Sequence, residues 1–461
     1  MFMLMALLAG SVHAAVEPPA PYGPVPTPQQ LAWQRMEYGM FCHFGINTFH
    51  NEEWTDGTKD PKTFLPMEFS GCQWAETAQK AGMKYLIITA KHHDGFSIYP
   101  TEHGDYNIKA SPWRDGQGDA IREVADACHA LGLMFGVYLS PWDRHDPLYS
   151  DPPAYDERFK AMLTELLTRY APVGEVWFDG AGSKGHVYDW NGYYAHIRAL
   201  APDALIAICG PDIRWIGNED GLAPDTLWNV QEVTLPIPGD TGGGETRWYP
   251  SECDVPIRKG QWFYHTDGEA NLRSLEELLE IYYRSVGLGA ALLLNVSPDR
   301  RGQLPPADTR RLLELGEVIR DTFNNNLAAR ALASASNIRG NSKTFAAANV
   351  VDDAPDTYWA VNDGVHEAWL QLLFGEDRVF DRIVIQEHLP LGQRVKAHEV
   401  QVFGQKGWET IAAGTTIGYK RIYRVPETKA KRIRIRITDA LAPPVIEHFG
   451  LYKASSKETP R

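Results

Sequence analysis

Cysteine is scarce in this chain, and positive charge is outnumbered. Five Cys in 461 residues, at 42, 72, 128, 209 and 253, stand far apart. That spacing excludes a disulfide framework or a cysteine metal cluster and predicts buried thiols. Lys and Arg total 45 against 59 Asp and Glu, a formal charge of -14. Partners that need basic patches, nucleic acid and anionic membranes, are thereby excluded. No GxSxG elbow is present for a serine nucleophile, and no glycine-rich phosphate cradle follows a strand. HxH, HxxxH and CxxC spacings, which gather metal ligands, are also missing, so neither metal nor cofactor is expected. The apolar run Met1–Ala14 is too short to span a bilayer as a helix. It ends in the small-residue pattern Val12-His13-Ala14 and, without the usual preceding Lys or Arg, predicts a secretory signal peptide. Glu17–Pro28 follows as a proline-rich lead-in, so residues 1–28 are set apart and a secreted or periplasmic destination is expected.

What is present is a globular composition, 44% hydrophobic and 23% charged, in a chain long enough for two domains. Fourteen Trp and twenty Tyr supply flat apolar faces, suited to a sugar-binding cleft or simply to a large core. The organising stretch is Gly174–Gly182, GEVWFDGAG. Val176–Phe178 is apolar and short enough for a buried strand, and Asp179-Gly180 stops it. Helical spacing precedes it over Tyr155–Tyr170 and follows it over Trp190–Leu200. Further strands are predicted at Gly39–Asn47, Tyr85–His93, Leu133–Pro141, Ala204–Gly210, Thr226–Val233 and Ala291–Val296, with an eighth near Arg247–Ile257. Helices are predicted at Cys72–Gly82, Asp119–Gly132, Ser274–Gly287 and Pro305–Phe323. Strands alternating with helices predict parallel βα units, hence an α/β (β/α)8-like (TIM) barrel, regular or not, over residues 29–326.

From Ala333 to Tyr452 the texture changes to short alternating segments, such as Glu367–Phe374, Arg382–Glu387, Glu399–Phe403 and Arg432–Ile437. These predict a C-terminal antiparallel β-sandwich over residues 327–461. Asn349–Trp359 and Ile446–Tyr452 resemble the discoidin-like (F5/8 type C) sandwiches. Asp352, Asp353 and Asp356 could hold a structural calcium there or form a solvated acidic loop.

In a barrel of this kind, chemistry sits at the C-terminal strand ends. His43 ends the first predicted strand, His92-His93-Asp94 the second and Asp179 the fourth. Tyr138 and Trp142 flank the end of the third, and Glu219 lies in the loop after the fifth. A cleft there would join three imidazoles, two carboxylates and several aromatic rings. The adjacent histidines, if on a strand, point to opposite faces, which argues against a shared metal ion. Metal-free imidazoles serve sugar hydroxyls as donors and acceptors, and two carboxylates are the minimum apparatus for glycoside hydrolysis. Another glycosidase, a lectin-like protein that has lost turnover and a metal-dependent hydrolase are the rival readings.

MFCHFGINTF, the Glu53-Trp54 pair, AKHHDGFSIYPT and VWFDGAG resemble the alpha-L-fucosidases of glycoside hydrolase family 29, over roughly Trp33–Asp321. The resemblance implies a retaining, exo-acting enzyme with Asp179 as nucleophile. It also implies that His43, Glu53, Trp54, His92 and His93 hold fucose, with Tyr138 and Trp177 as further contacts. RWIGNEDG and DVPIRKGQWFYH resemble the branch specific for α-1,3 and α-1,4 linkages on branched glycans. That makes Glu219 the acid/base, with Glu252 in reserve. Trp215, Trp228 and Trp262 then offer faces for a neighbouring sugar, or only fill space between barrel and loops. The partner expected is a fucosylated oligosaccharide.

Overall fold

The computed structural model describes residues 15–458 other than 183, 234–244 and 355. The segment Met1–Ala14, expected above to be a signal peptide, lies outside the described residues. The chain enters through helix α1 (Pro28–Gln34), started by a Thr27–Gln30 capping box. Strands β1 (Tyr38–Cys42), β2 (Tyr85–Lys91), β3 (Met134–Leu139), β4 (Glu175–Phe178), β5 (Leu205–Ile208) and β6 (Arg214–Trp215) follow. Helices α2 (Ile46–His50), α3 (Gly71–Lys80), α4 (Ala120–Leu131), α5 (Pro152–Arg169) and α6 (Trp190–Leu200) fall between them. An antiparallel ribbon, β7 (Val230–Val233) with β8 (Glu245–Trp248), precedes β9 (Ser251–Pro256), α7 (Leu275–Ser285), β10 (Ala291–Asn295) and α8 (Pro306–Phe323).

Eight strands form one parallel sheet in the order β5-β4-β3-β2-β1-β10-β9-β6. A bridge between Ala207 and Ile213 brings its two ends together, so the barrel is nearly closed. Two expectations need correcting here. The predicted strand Thr226–Val233 contributes β7 to the ribbon outside the barrel. The sixth barrel strand is instead the two-residue β6, reached from β5 through residues 209–213 without a helix. So short a strand leaves no periodicity to read.

Because both faces of these strands are covered, their sequences run apolar without alternation. Side chains nonetheless alternate between two cores. Phe41, Tyr85, Ile87, Tyr138, Trp177 and Leu293 fill the inside of the barrel together with Trp33 from α1. Met40, Leu86, Ile88, Val137, Val176 and Leu292 pack outward against the helices. Each such side chain, fully buried, contributes roughly 1.5–3 kcal/mol. Four of the five thiols are buried as expected, but Cys72, on α3, is exposed.

Residues beyond α8 form an antiparallel sheet domain, β12 (Trp359–Ala360), β17 (Val445–Tyr452), β13 (Ala368–Glu387), β16 (Arg421–Ala440), β14 (Val395–Gly404) and β15 (Gly407–Gly414) in spatial order, with β11 (Leu332–Ala335) on β13. The predicted segments Glu367–Phe374, from Ala368 on, and Arg382–Glu387 belong to one 20-residue strand, β13. Register shifts between Leu373 and Arg378 and between Phe380 and Arg382 bend it, which is why its pattern reads as two segments. In the RIRIRI stretch, Ile433, Ile435 and Ile437 are fully buried and the arginines face out. Asp352 accepts hydrogen bonds from the Ala354 N–H and the Thr357 hydroxyl, closing its own loop.

The two domains share a core. Val384, Ile422 and Tyr452 of the sheet domain pack into the helix layer of the barrel. Around them, Arg382 Nε donates to the Tyr283 hydroxyl at 3.0 Å, and Tyr419 OH donates to Glu37 at 2.7 Å.

Candidate active site

A cavity of about 650 Å³ opens at the C-terminal ends of the barrel strands. Its wall includes His43, Glu53, Trp54, His92, His93, Trp177, Asp179, Glu219 and Trp262. Tyr138 stands behind that wall, with its hydroxyl on Asp179. Residues from distant parts of the sequence meet here because each follows, or closes, a strand of one parallel sheet.

Asp179 extends the inward row begun on β4 by Glu175 and Trp177. Its Oδ1 accepts the Ala181 N–H at 2.8 Å and its Oδ2 the Tyr138 hydroxyl at 3.0 Å. Burial pushes this carboxyl above its ordinary value, opposed by those two hydrogen bonds. His93 Nε2 lies 3.5 Å from the same Oδ2. Glu219 sits on the exposed loop after β6 and accepts a hydrogen bond from Trp262 Nε1 at 3.1 Å.

The histidine pair corrects an expectation. β2 ends at Lys91, so strand alternation no longer applies to His92 and His93. Both rings line the cavity, with centroids 4.1 Å apart. Among the described residues, His92, His93 and Asp179 place one donor atom each within 4.8 Å of one another. Desolvation holds all three imidazoles neutral: His43 and His93 are each lowered to about 3, and His92 is lowered well below its usual value. The Lys91 and Arg144 charges add to the effect on His93. Lys91 is itself buried, in an ion pair of 2.7 Å with Asp143. Asp94 is buried beside His92 and pushed up to about 7 by desolvation.

Glu53 is on the wall, but its carboxylate is engaged within the protein. Oε2 accepts the N–H groups of Trp262 and Phe263, and Oε1 meets His265 Nε2 at 2.8 Å. This clamp fixes the loop that carries Trp262, and Trp262 in turn holds Glu219. Asn295 Nδ2 secures the same loop by donating to the Trp262 carbonyl at 2.8 Å. Trp54 is 51% exposed and presents its ring edge-on to His93 and Trp142.

Glu252 is not on the cavity wall. It lies inside the barrel, accepting from Trp177 Nε1 at 2.9 Å and the Tyr85 hydroxyl at 3.2 Å. Trp228 is not on the wall either. Trp215 is, 41% exposed, with its Nε1 donating to Asp254 at 2.6 Å. Asp254, Arg214, Tyr249, Cys209, Ile208 and Phe41 are wall residues that sequence reasoning did not single out. Asp254 was within reach, since it lies two positions after Glu252 on one strand and so faces the same way one level higher. Burial, with Glu252 and Glu219 nearby, raises its carboxyl well above the usual range. Ile208 takes a positive φ of 69°, a strained conformation for a β-branched side chain. It marks the sharp turn that ends β5.

Carboxylates set among neutral, hydroxyl-binding side chains and indole walls are equipment for cutting glycosidic bonds, which places the protein among the glycoside hydrolases. Comparison with known proteins names the kind. The alpha-L-fucosidase family model matches residues 25–322, and the F5/8 type C domain model matches residues 331–446. Alpha-L-fucosidase 1 of Arabidopsis thaliana is 39% identical, over 94% of this chain and 88% of that protein. The crystal structure of SpGH29 superposes with a TM-score of 0.88 at 38% identity, covering 95% of this chain and all of that one. A Ruminococcus gnavus GH29 fucosidase, solved in complex with fucose, gives 0.88 at 33% identity, over 97% and 98%. The chain belongs to the alpha-L-fucosidase family and has alpha-L-fucosidase activity.

Proposed function

We propose that the enzyme releases α-L-fucose with retention of configuration, from α-1,3- and α-1,4-linked positions on branched oligosaccharides outside the cytoplasm. Asp179 attacks the anomeric carbon and forms a covalent glycosyl-enzyme. Glu219 protonates the departing oxygen and then takes a proton from the incoming water. The observation that carries this reading is the placement of Asp179 and Glu219 on the wall of one cavity. They are held differently: Asp179 by a backbone N–H and a phenol, Glu219 by a single indole. His43, His92 and His93 hold the sugar hydroxyls, and the Ruminococcus gnavus relative was solved in complex with fucose. Trp54 and Trp177 are further contacts, and Tyr138 orients the nucleophile. Glu53 acts through its clamp on the Trp262 loop.

The linkage reading is supported by Trp215 and Trp262, two indoles on the wall near Glu219 that can receive a neighbouring sugar. The test is to follow fucose release from Lewis-type trisaccharides and from an α-1,2-linked disaccharide. The branched substrates should show kcat/KM at least about tenfold higher, because binding energy from the second sugar is used at the reacting centre. Equal or better cleavage of the α-1,2 linkage would overturn the linkage assignment alone. A fluorinated fucosyl donor should trap a peptide containing Asp179, and a label elsewhere would overturn the nucleophile.

A further inference from the structure

Each of the three cavity imidazoles meets one protein group through Nδ1, and the bonding of that group decides which ring nitrogen carries the proton. For His43 the partner is Asn295 Oδ1, at 2.9 Å. This oxygen also accepts the His43 backbone N–H, while Asn295 Nδ2 donates to the Trp262 carbonyl. The amide orientation is therefore fixed by two backbone groups. Oδ1 can only accept, so His43 carries its proton on Nδ1 and leaves Nε2 bare.

His93 Nδ1 lies 2.7 Å from Ser140 Oγ. The single hydroxyl proton of Ser140 goes to the Trp142 carbonyl, 2.7 Å away. Ser140 can then only accept from the imidazole, and His93 Nε2 is also bare. That nitrogen faces Asp179 Oδ2 at 3.5 Å, so two acceptors confront each other with no proton between them.

His92 is held the opposite way. Asn47 Oδ1 accepts the Thr55 N–H, and Asn47 Nδ2 donates to the Glu53 carbonyl. With the amide so oriented, Nδ2 also donates to His92 Nδ1 at 3.4 Å. The proton of His92 therefore sits on Nε2. Asp94 Oδ2 is the competing neighbour of Nδ1, but at 3.9 Å it is beyond hydrogen-bond reach.

We propose that Asn295, Ser140 and Asn47 are positioning residues that set the imidazoles as two acceptors, His43 and His93, and one donor, His92. This deepens the reading above that these rings hold fucose. Fucose carries three contiguous ring hydroxyls. The site would take protons from two of them and give one to the third. The hydroxyl that donates to His93 supplies the proton missing between His93 and Asp179, so substrate relieves an unfavourable contact at the nucleophile. A cation held by His92, His93 and Asp179 would conflict with this arrangement, because one nitrogen of His92 is protonated and the other faces an amide N–H.

The experiment is a side-chain nitrogen–proton NMR correlation on the full chain with nitrogen-15 histidine, at neutral pH. His43 and His93 should appear as Nδ1–H tautomers and His92 as Nε2–H. A His92 protonated on Nδ1, as Asp94 would dictate, overturns the assignment, and so does either other ring protonated on Nε2. Ser140→Ala should turn the His93 signal into a tautomer mixture and raise KM for an aryl-fucoside about tenfold, with a smaller change in kcat. Ser140→Thr keeps a hydroxyl and should restore both. A Ser140→Ala enzyme with unchanged signal and unchanged KM would overturn the positioning role. Added L-fucose should shift all three signals. Tautomers as assigned that ignore fucose would sink the reading of the cavity instead.

Discussion

On the floor of the barrel, Glu175 and Glu252 lie sealed among aromatic rings, while four residues beyond Glu175, just past the end of the same strand, Asp179 opens to the cavity. The two levels use the same chemistry under different solvation. Below, Trp33 Nε1 donates to Glu175 at 3.0 Å, Trp177 and Tyr85 donate to Glu252, and Glu175 Oε1 has no hydrogen-bond partner among the described residues. Burial raises both carboxyls, and the Glu252 charge raises that of Glu175 further. Above, Asp179 keeps 24% of its side chain exposed and Glu219 is on an open loop. A carboxylate's role in this barrel is decided by its depth, not by its type.

The sharpest way to break the comparison is at Asp179. Asp179→Ala should lower kcat on an aryl-fucoside by about a thousandfold or more while the fold survives, since the covalent route is lost. Glu175→Gln, two turns of the pleat below, should leave turnover nearly intact. An active Asp179→Ala enzyme would remove the distinction between the levels.

The next effect separates Glu219 from Glu252. Glu219→Ala should lose about 10²–10⁴-fold on oligosaccharide, where the leaving group needs a proton. It should lose less in the first step on an activated aryl-fucoside, and azide should rescue it as the β-fucosyl azide. Glu252→Gln should show neither the leaving-group dependence nor the rescue. The reverse pattern would make the buried carboxyl the acid/base.

The smallest effect is one of stability. The folded chain keeps a proton on the Glu175–Glu252 pair at pH values where the unfolded chain, with ordinary glutamate values near 4.5, has released it. The folded state then binds more protons, so stability falls as pH rises above that value. Glu252→Gln keeps an acceptor for Trp177 without the titration. Its stability relative to wild type should rise by about 2–3 kcal/mol between about pH 5 and pH 8, measured by urea unfolding. A difference independent of pH would show that the lower level carries no titrating proton.

Much of this was legible in the sequence where one physical rule dominates. Trp190–Leu200 coincides with α6, because an amphipathic run between a capping Asp189 and a non-helical Ala201 has little choice. His43, His92, His93 and Asp179 reach the cavity wall, because a carboxylate or imidazole ending an apolar strand of a parallel barrel has one open direction, whereas Tyr138, Trp228 and Glu252 do not reach it. What could not be read depends on contacts distant in sequence. β2 stops at Lys91, two residues short of the predicted His93, so alternation does not reach His92 and His93. Glu53 reads as a ligand until its partners, more than 200 residues away, are known. Glu252 and Glu219 differ only in depth, which no local pattern encodes.

The shared core between the domains bears on how the chain is made. Val384, Ile422 and Tyr452 fill positions in the helix layer of the barrel, so that layer is incomplete while only the first 326 residues have left the ribosome. The N-terminal domain of a nascent chain ordinarily folds before its successor is synthesised. Here a barrel released alone leaves the apolar surface under Val384, Ile422 and Tyr452 open to water, so the sheet domain serves as part of the barrel's outer cover.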